Sequence, residues 1–282
     1  MKLETTIKQL RNIKKKSRSE DSVFLRLDYD EWVPKNATPW ENWLYRAKYM
    51  GSRSEDRIRA AIYFGIQPAF DLLLDADLNT DLRDTALKFL RKMEKLGQKY
   101  FTDHQLDRLN VAQYRKDLDS LDILVKKLED LPWKPKKRYM EIEVDSKSVR
   151  RFTQSALELY KDLTYKPEFL VCCASSAVEQ TLVLSRLLKL PYALIRFSEK
   201  RGDKQAKHLS EDKDKIKQNC ENKVVAVIED YSEKGSTLEK VIAKVKKYKP
   251  IKVIGLTMGS GMYNKFRGKK IIKKTDFEFF NL

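Results

Sequence analysis

The chain has 282 residues and carries 58 Lys and Arg against 41 Asp and Glu, a formal net charge of +17. Hydrophobic residues make up 41% and aromatic residues 10%, enough to fill real cores, so disorder as the main state is excluded. The length fits two domains of roughly 100–200 residues, and the longest apolar runs, Phe169–Cys173 and Val224–Ile228, are far shorter than the ~20 residues that span a bilayer.

Met1–Lys16 is basic but has no apolar stretch of the kind a secretory signal needs, so the reading is an intracellular, cytoplasmic protein with no membrane partner. The cysteines agree. Cys172 and Cys173 are adjacent in an apolar run, Cys220 is distant, and no pair has zinc-site spacing. With only His104 and His208 besides, a structural metal centre is not expected. The positive surplus suits a nucleic acid, an anionic surface or a polyphosphate, and equally a Lys-rich solvated surface with no partner.

The first ~135 residues read as helical on periodicity. Thr38-Pro39-Trp40-Glu41 is a capping box with proline at the first helical position. Ser54 precedes two acids and the apolar series Ile58, Ala61, Ile62, Phe64, Ile66. Asn79 or Thr80 starts a third helix on Leu82, Ala86, Phe89, Leu90 and Met93, closed by Gly97. A fourth covers Gln105–Leu131 on Leu109, Leu118, Leu121, Leu124 and Leu128. Short polar breaks imply antiparallel packing in a bundle. Trp32, Trp40, Trp43 and Trp133 read as packing residues. Leu131–Arg138 then holds two prolines and four positive charges. It reads as a linker over 134–138, between a helical domain 1–133 and a second domain 139–282.

The period changes after the linker. Tyr139–Val144 alternates like a strand and Ser146–Leu163 reads as a helix. There follow strand Glu168–Ala174, helix Ala177–Leu190, strand Tyr192–Phe197 and a polar stretch 198–222. Strand Lys223–Ile228, helix Thr237–Tyr248 and strand Lys252–Met258 come next, and Phe277–Phe280 is one more candidate strand. Alternating elements with apolar, β-branched strands predict an α/β domain with a mainly parallel sheet, preceded by the all-α part.

In such sheets ligands sit beyond the C-terminal strand ends. One such end is distinctive. Val225–Ile228 is apolar, Glu229 and Asp230 follow, and after four variable residues come Gly235, Ser236 and Thr237. Glycine permits a tight turn, a helix N-terminus binds phosphate, and the two hydroxyls add donors. Adjacent carboxylates can accept hydrogen bonds from sugar hydroxyls. An ordinary strand–turn–helix connection with exposed acids is the plain alternative. These 13 positions, 225–237, resemble the signature by which type I phosphoribosyltransferases bind phosphoribosyl pyrophosphate (PRPP).

The resemblance implies a role for each position. Glu229 and Asp230 would bind the ribose hydroxyls and could approach Mg²⁺, which PRPP brings as the cofactor. Glu233, Lys234, Gly235, Ser236 and Thr237 would wrap the 5′-phosphate, with Glu233 near the base as a general base. Ala174, Ser175, Ser176 and Ala177, small but glycine-free, would hold pyrophosphate. The loop carrying Lys200, Arg201, Lys204, Lys207 and His208 is similar in position and basic content to the family's flexible catalytic loop. Lys200, Arg201 and Lys204 would there neutralise the leaving group. A polar turn capping the next helix and a solvated Lys-rich loop are the plain alternatives at these two places. Phe277 and Phe279 read as core residues.

Two functional classes follow. One is a phosphoribosyltransferase that moves the 5-phosphoribosyl group from PRPP to a nitrogen nucleophile, a nucleobase, with a purine ahead of orotate. Family members often dimerise, so a homodimer is a partner to consider. The other is a catalytically degenerate regulator or defence effector of the same fold. It would sense PRPP or a nucleotide and bind nucleic acid or a protein through the basic helical part. Met1–Ser19 and 134–138 are its basic patches. The charge supports an anionic ligand locally, at 200–207, and does not require nucleic acid.

Overall fold

The computed structural model describes residues 3–16, 22–25, 54–128, 142–174, 177–197, 203–232, 235–260 and 278–282. The Thr38–Glu41 capping box, the four tryptophans, the 134–138 linker, Ser175, Ser176, Lys200, Arg201, Glu233, Lys234 and Phe277 lie outside the described residues. Contacts divide the chain into two compact units, residues 22–145 and residues 1–21 with 146–282. No helix among the described residues is long and apolar enough to cross a membrane.

The unit 22–145 is mainly helical. Strand β1 (Ser22–Leu25) pairs antiparallel with β2 (Ile142–Asp145), Leu25 opposite Ile142. The alternation near residue 142 therefore forms a separate two-stranded ribbon. Helix α2 (Ser54–Asp75) starts at Ser54, as the acids after it suggest, and runs on through Pro68. Asn79 caps α3 (Thr80–Gln105), its Oδ1 accepting from the Leu82 amide at 2.9 Å. The two helices run antiparallel, with the Tyr100 hydroxyl donating to the Glu55 carbonyl at 2.7 Å. Near their other ends, Arg83 donates to the Leu73 carbonyl at 3.2 Å.

Two helix ends differ from expectation. Gly97 does not stop α3; it is buried inside it. A glycine costs a helix about 1 kcal/mol, and burying a large apolar side chain returns about 1.5–3 kcal/mol. Tyr100 and Phe101, both fully buried beyond Gly97, decide the matter. The single helix expected over 105–131 is instead broken. Asp107 takes a left-handed φ of 56°, and Asn110 caps α4 (Val111–Asp119) by accepting from the Gln113 amide. After Ser120, α5 (Asp122–Lys126) begins again. Asn and Ser offer the backbone local partners that interrupt a leucine period.

The second unit opens with α1 (Leu3–Lys16), which buries Ile7 and Leu10 and packs on α6 (Ser146–Asp162). Arg11 pairs with Glu158 at 2.7 Å and Lys161 with Glu4 at 2.9 Å. Its sheet contains β3 (Phe169–Cys173), β4 (Tyr192–Ile195), β5 (Val224–Ser232), β6 (Lys252–Ser260) and β7 (Glu278–Asn281). All pairings are parallel and the order is β4-β3-β5-β6-β7. Helices α7 (Val178–Leu188), α8 (Lys213–Cys220) and α9 (Ser236–Lys246) connect the strands. The stretch 198–222, read as polar, holds α8. Only Ile216 and Cys220 of that helix are buried, too short a stripe to register as a period.

Strand residues alternate between two covered faces. Phe169, Val171, Val225 and Val227 pack with Ile216 of α8 and Val241 and Val245 of α9. The residues between them face α6 and α7. Burial on both sides explains why β3 is a continuous apolar run.

Candidate functional site

The chain leaves β3 outward to β4 and then returns to the other side of β3 with β5. A crevice opens where the strand order reverses, outside the C-terminal ends of β3 and β5. The register Cys172 opposite Ile228 brings the residues after Cys173 and the last residues of β5 to that crevice.

From β5 come the two acids. Glu229 is buried and continues the Val225–Val227 series towards α9. Asp230 is half-buried and continues the Ala226–Ile228 series towards α6 and α7. Glu229 stands opposite Thr257 of β6, and the buried Thr257 hydroxyl donates to the Asp230 carbonyl at 3.3 Å. That bond ties β6 to β5 at the acids, which lie within the strand: β5 does not stop at Ile228 but stays paired with β6 as far as Ser232.

Gly235 takes φ 78° and ψ −4°, the left-handed region that a side chain would resist, and forms the N-cap of α9. Its carbonyl accepts from the Glu239 amide at 2.9 Å. The amides of Ser236, Thr237 and Leu238, in the first turn, have no partner within the helix. Ser236 and Thr237 are half-buried beside them. The turn and the acid pair thus share one strand–helix connection.

From β3 come Ala174 and Ala177, both buried. The Ala174 amide donates to the Ile195 carbonyl at 2.8 Å, and Ala177 caps α7 without a side-chain bond. Cys173, just before them, is a residue that sequence reasoning gave no role. Its thiol is pushed well above its ordinary range by burial, then by the charges of Glu229, Cys172 and Asp230. It is a neutral wall beside the acid pair.

The basic loop is closed at its base. Arg196 and Lys207 exchange two backbone hydrogen bonds of 2.8 Å. The Arg196 side chain pairs with Asp203, and Lys207 reaches the same carboxylate at 3.3 Å. Lys204 is exposed. His208 stands elsewhere. Its Nδ1 donates to the Leu209 carbonyl at 2.8 Å, so Nε2 accepts from the Tyr248 hydroxyl at 2.6 Å. Tyr248 follows the C-terminal end of α9, about 16 Å from Ser236 by the rise of that helix. The structure does not bring His208 to the acids.

Residues 139–278 match the family model described as phosphoribosyl transferase domain. No curated protein matches the chain. Among solved structures, a purine phosphoribosyltransferase from Pyrococcus horikoshii is 19% identical with a TM-score of 0.33, over 48% of this chain and 81% of that one. A Neisseria gonorrhoeae protein with bound ppGpp is 14% identical with a TM-score of 0.35, over 47% and 77%. The adenine phosphoribosyltransferase of Leishmania tarentolae is 13% identical with a TM-score of 0.31, over 43% and 65%. On the family match and the parallel sheet together, the C-terminal half of this chain belongs to the phosphoribosyl transferase domain family.

Proposed function

We propose that the protein transfers the 5-phosphoribosyl group of PRPP to a nitrogen nucleophile, a nucleobase, with a purine ahead of orotate. The observation that carries this reading is the acid pair Glu229–Asp230 near the C-terminal end of a central strand, followed on the same connection by the left-handed Gly235 turn into α9. In the reaction the bond from C1 to the pyrophosphate oxygen breaks and a bond from the nucleophile's nitrogen to C1 forms. Glu229 and Asp230 accept hydrogen bonds from the ribose hydroxyls. The first amides of α9, with Ser236 and Thr237, hold the 5′-phosphate, and Glu233 and Lys234 complete that loop. Glu233 takes the proton that the nucleophile loses. Residues 174–177 hold the leaving pyrophosphate, and Lys200, Arg201 and Lys204 offset its charge. Positioning and charge compensation supply most of the rate, since little covalent chemistry is asked of the protein.

Mg²⁺ takes oxygen donors, usually one or two carboxylates with substrate phosphates. Glu229 and Asp230 fit that demand. Among the described residues no group of three or more His, Cys, Asp or Glu side chains could hold a metal ion by itself; in this reading PRPP would supply the remaining oxygen donors. When bound it withdraws charge from the pyrophosphate.

Calorimetry of PRPP with Mg²⁺ tests the reading. The wild type binds, and the double variant Glu229→Ala/Asp230→Ala keeps its fold and loses binding. Equal affinity in both proteins would sink the assignment.

A second reading has its own support. Asp203 neutralises Arg196 and Lys207, and the 174–177 loop has no glycine. Both features suit a degenerate sensor of PRPP or nucleotide whose basic helical part binds nucleic acid or a protein. PRPP binding without pyrophosphate release on any of a panel of purines and orotate favours it.

A further inference from the structure

Gln180 lies in the first turn of α7 and is 2% exposed. Its Nε2 donates to the Met258 thioether at 3.7 Å. Its Oε1 is buried and accepts no hydrogen bond among the described residues. Turning the carboxamide over would be worse, because a thioether has no hydrogen to give. Buried polar atoms are nearly always paired. A leucine or methionine would fill this place with no polar atom left over.

The location gives the unpaired oxygen a meaning. The β5–β6 register sets Glu229 opposite Thr257 and Tyr231 opposite Gly259, so Asp230 stands opposite Met258. Both are half-buried near the C-terminal ends of their strands, and both continue the series that faces α6 and α7. Gln180 therefore reaches from the helix that follows β3, across the covered face of β5, to the neighbour of Asp230. The carboxamide thus links α7 to β6 beside the position of Asp230.

The missing partner must be a donor. Phosphate oxygens at neutral pH only accept, so neither the 5′-phosphate nor pyrophosphate satisfies Oε1. The ribose hydroxyls are the share of Glu229 and Asp230 in the reading above, on which this step rests. What remains is an N–H of the nucleophile. A carboxamide presents an acceptor and donors in one plane, the pattern that matches the edge of a nucleobase. Met258, unbranched with three rotatable bonds, is the side chain best able to turn aside.

We infer that Gln180 is a specificity residue, whose carboxamide hydrogen-bonds the nitrogen heterocycle that accepts the phosphoribosyl group, with Met258 as its movable cover. The test uses the full chain and calorimetry with Mg-PRPP, ribose 5-phosphate, AMP, GMP and UMP. Wild type binds at least one mononucleotide more tightly than base-free ribose 5-phosphate. Gln180→Leu reduces that advantage by about tenfold or more. It leaves ribose 5-phosphate and Mg-PRPP affinity unchanged, and its melting temperature is equal or higher because an unpaired polar group has gone. Gln180→Met serves as the second variant if the leucine does not fold. The inference is overturned if no mononucleotide has an advantage, if the advantage survives both substitutions, or if both variants melt lower. If wild type binds neither Mg-PRPP nor ribose 5-phosphate, the phosphoribosyl reading itself falls. If both bind and only the base advantage is untouched, the inference about Gln180 falls alone.

Discussion

The Arg196 guanidinium donates twice to the Asp203 carboxylate, Nε to Oδ2 at 3.2 Å and Nη2 to Oδ1 at 3.3 Å, with side-chain exposures of 2% and 3%. Removing one partner of a buried pair strands the other charge and costs about 3–5 kcal/mol. Asp203→Ala is therefore expected to lower unfolding free energy by that order in urea titration. Lys207→Ala removes the half-exposed second partner and is expected to cost under about 1 kcal/mol. Equal losses in the two variants would show that burial does not set the worth of this clamp.

Gly235 makes a second, independent prediction. A non-glycine residue in the left-handed region costs about 1–2 kcal/mol, so Gly235→Ala destabilises by that amount or shifts the turn to avoid it. In the proposed reading either response displaces the first amides of α9, and Mg-PRPP affinity falls at least tenfold. Unchanged affinity with the expected stability loss would separate the turn from phosphate binding.

In the helical unit, Asn79 caps α3 by a 2.9 Å bond to the Leu82 amide. Replacing such a cap with alanine costs about 1 kcal/mol. Asn79→Ala should lower stability by that amount and leave PRPP affinity unchanged, since Asn79 and the acid pair belong to different compact units. A change in PRPP affinity would reveal coupling between them.

What could be seen in the sequence follows from how local each cause is. Val224–Ile228 announced a strand because burial on both faces demands apolar residues at every position. Glu229, Asp230 and Gly235 stood out because their spacing is short and contiguous. The Asn79 cap was legible for the same reason. Gly97 misled, since the burial of Tyr100 and Phe101 is a tertiary fact that outweighs a local propensity. Asp203 sits in a run of charges like many others, and only the backbone bridge between Arg196 and Lys207 selects it as the partner. His208 was grouped with its loop neighbours, yet its fate was decided by Tyr248, forty residues on. Gln180 carried no signal at all, because its contact with Met258 joins a helix to a strand across the sheet.

Cys220 gives a pH prediction. It is buried, and its thiol is pushed up to about 12, chiefly by that burial. In the unfolded chain a cysteine ionises near its ordinary value, about 8.5. Between these values the unfolded state has released a proton that the folded state still holds. Stability therefore falls as pH rises through that window and is complete below it. The buried Cys173 thiol and the Tyr248 hydroxyl are shifted upward too and add to the same slope. Urea titrations at pH 8 and pH 10.5 should show wild type losing more stability than Cys220→Ala over that interval. The variant starts lower at pH 8 because it leaves a small void in the core under α9. Its shallower decline is the diagnostic. Parallel declines in the two proteins would mean that the alkaline loss arises at other groups.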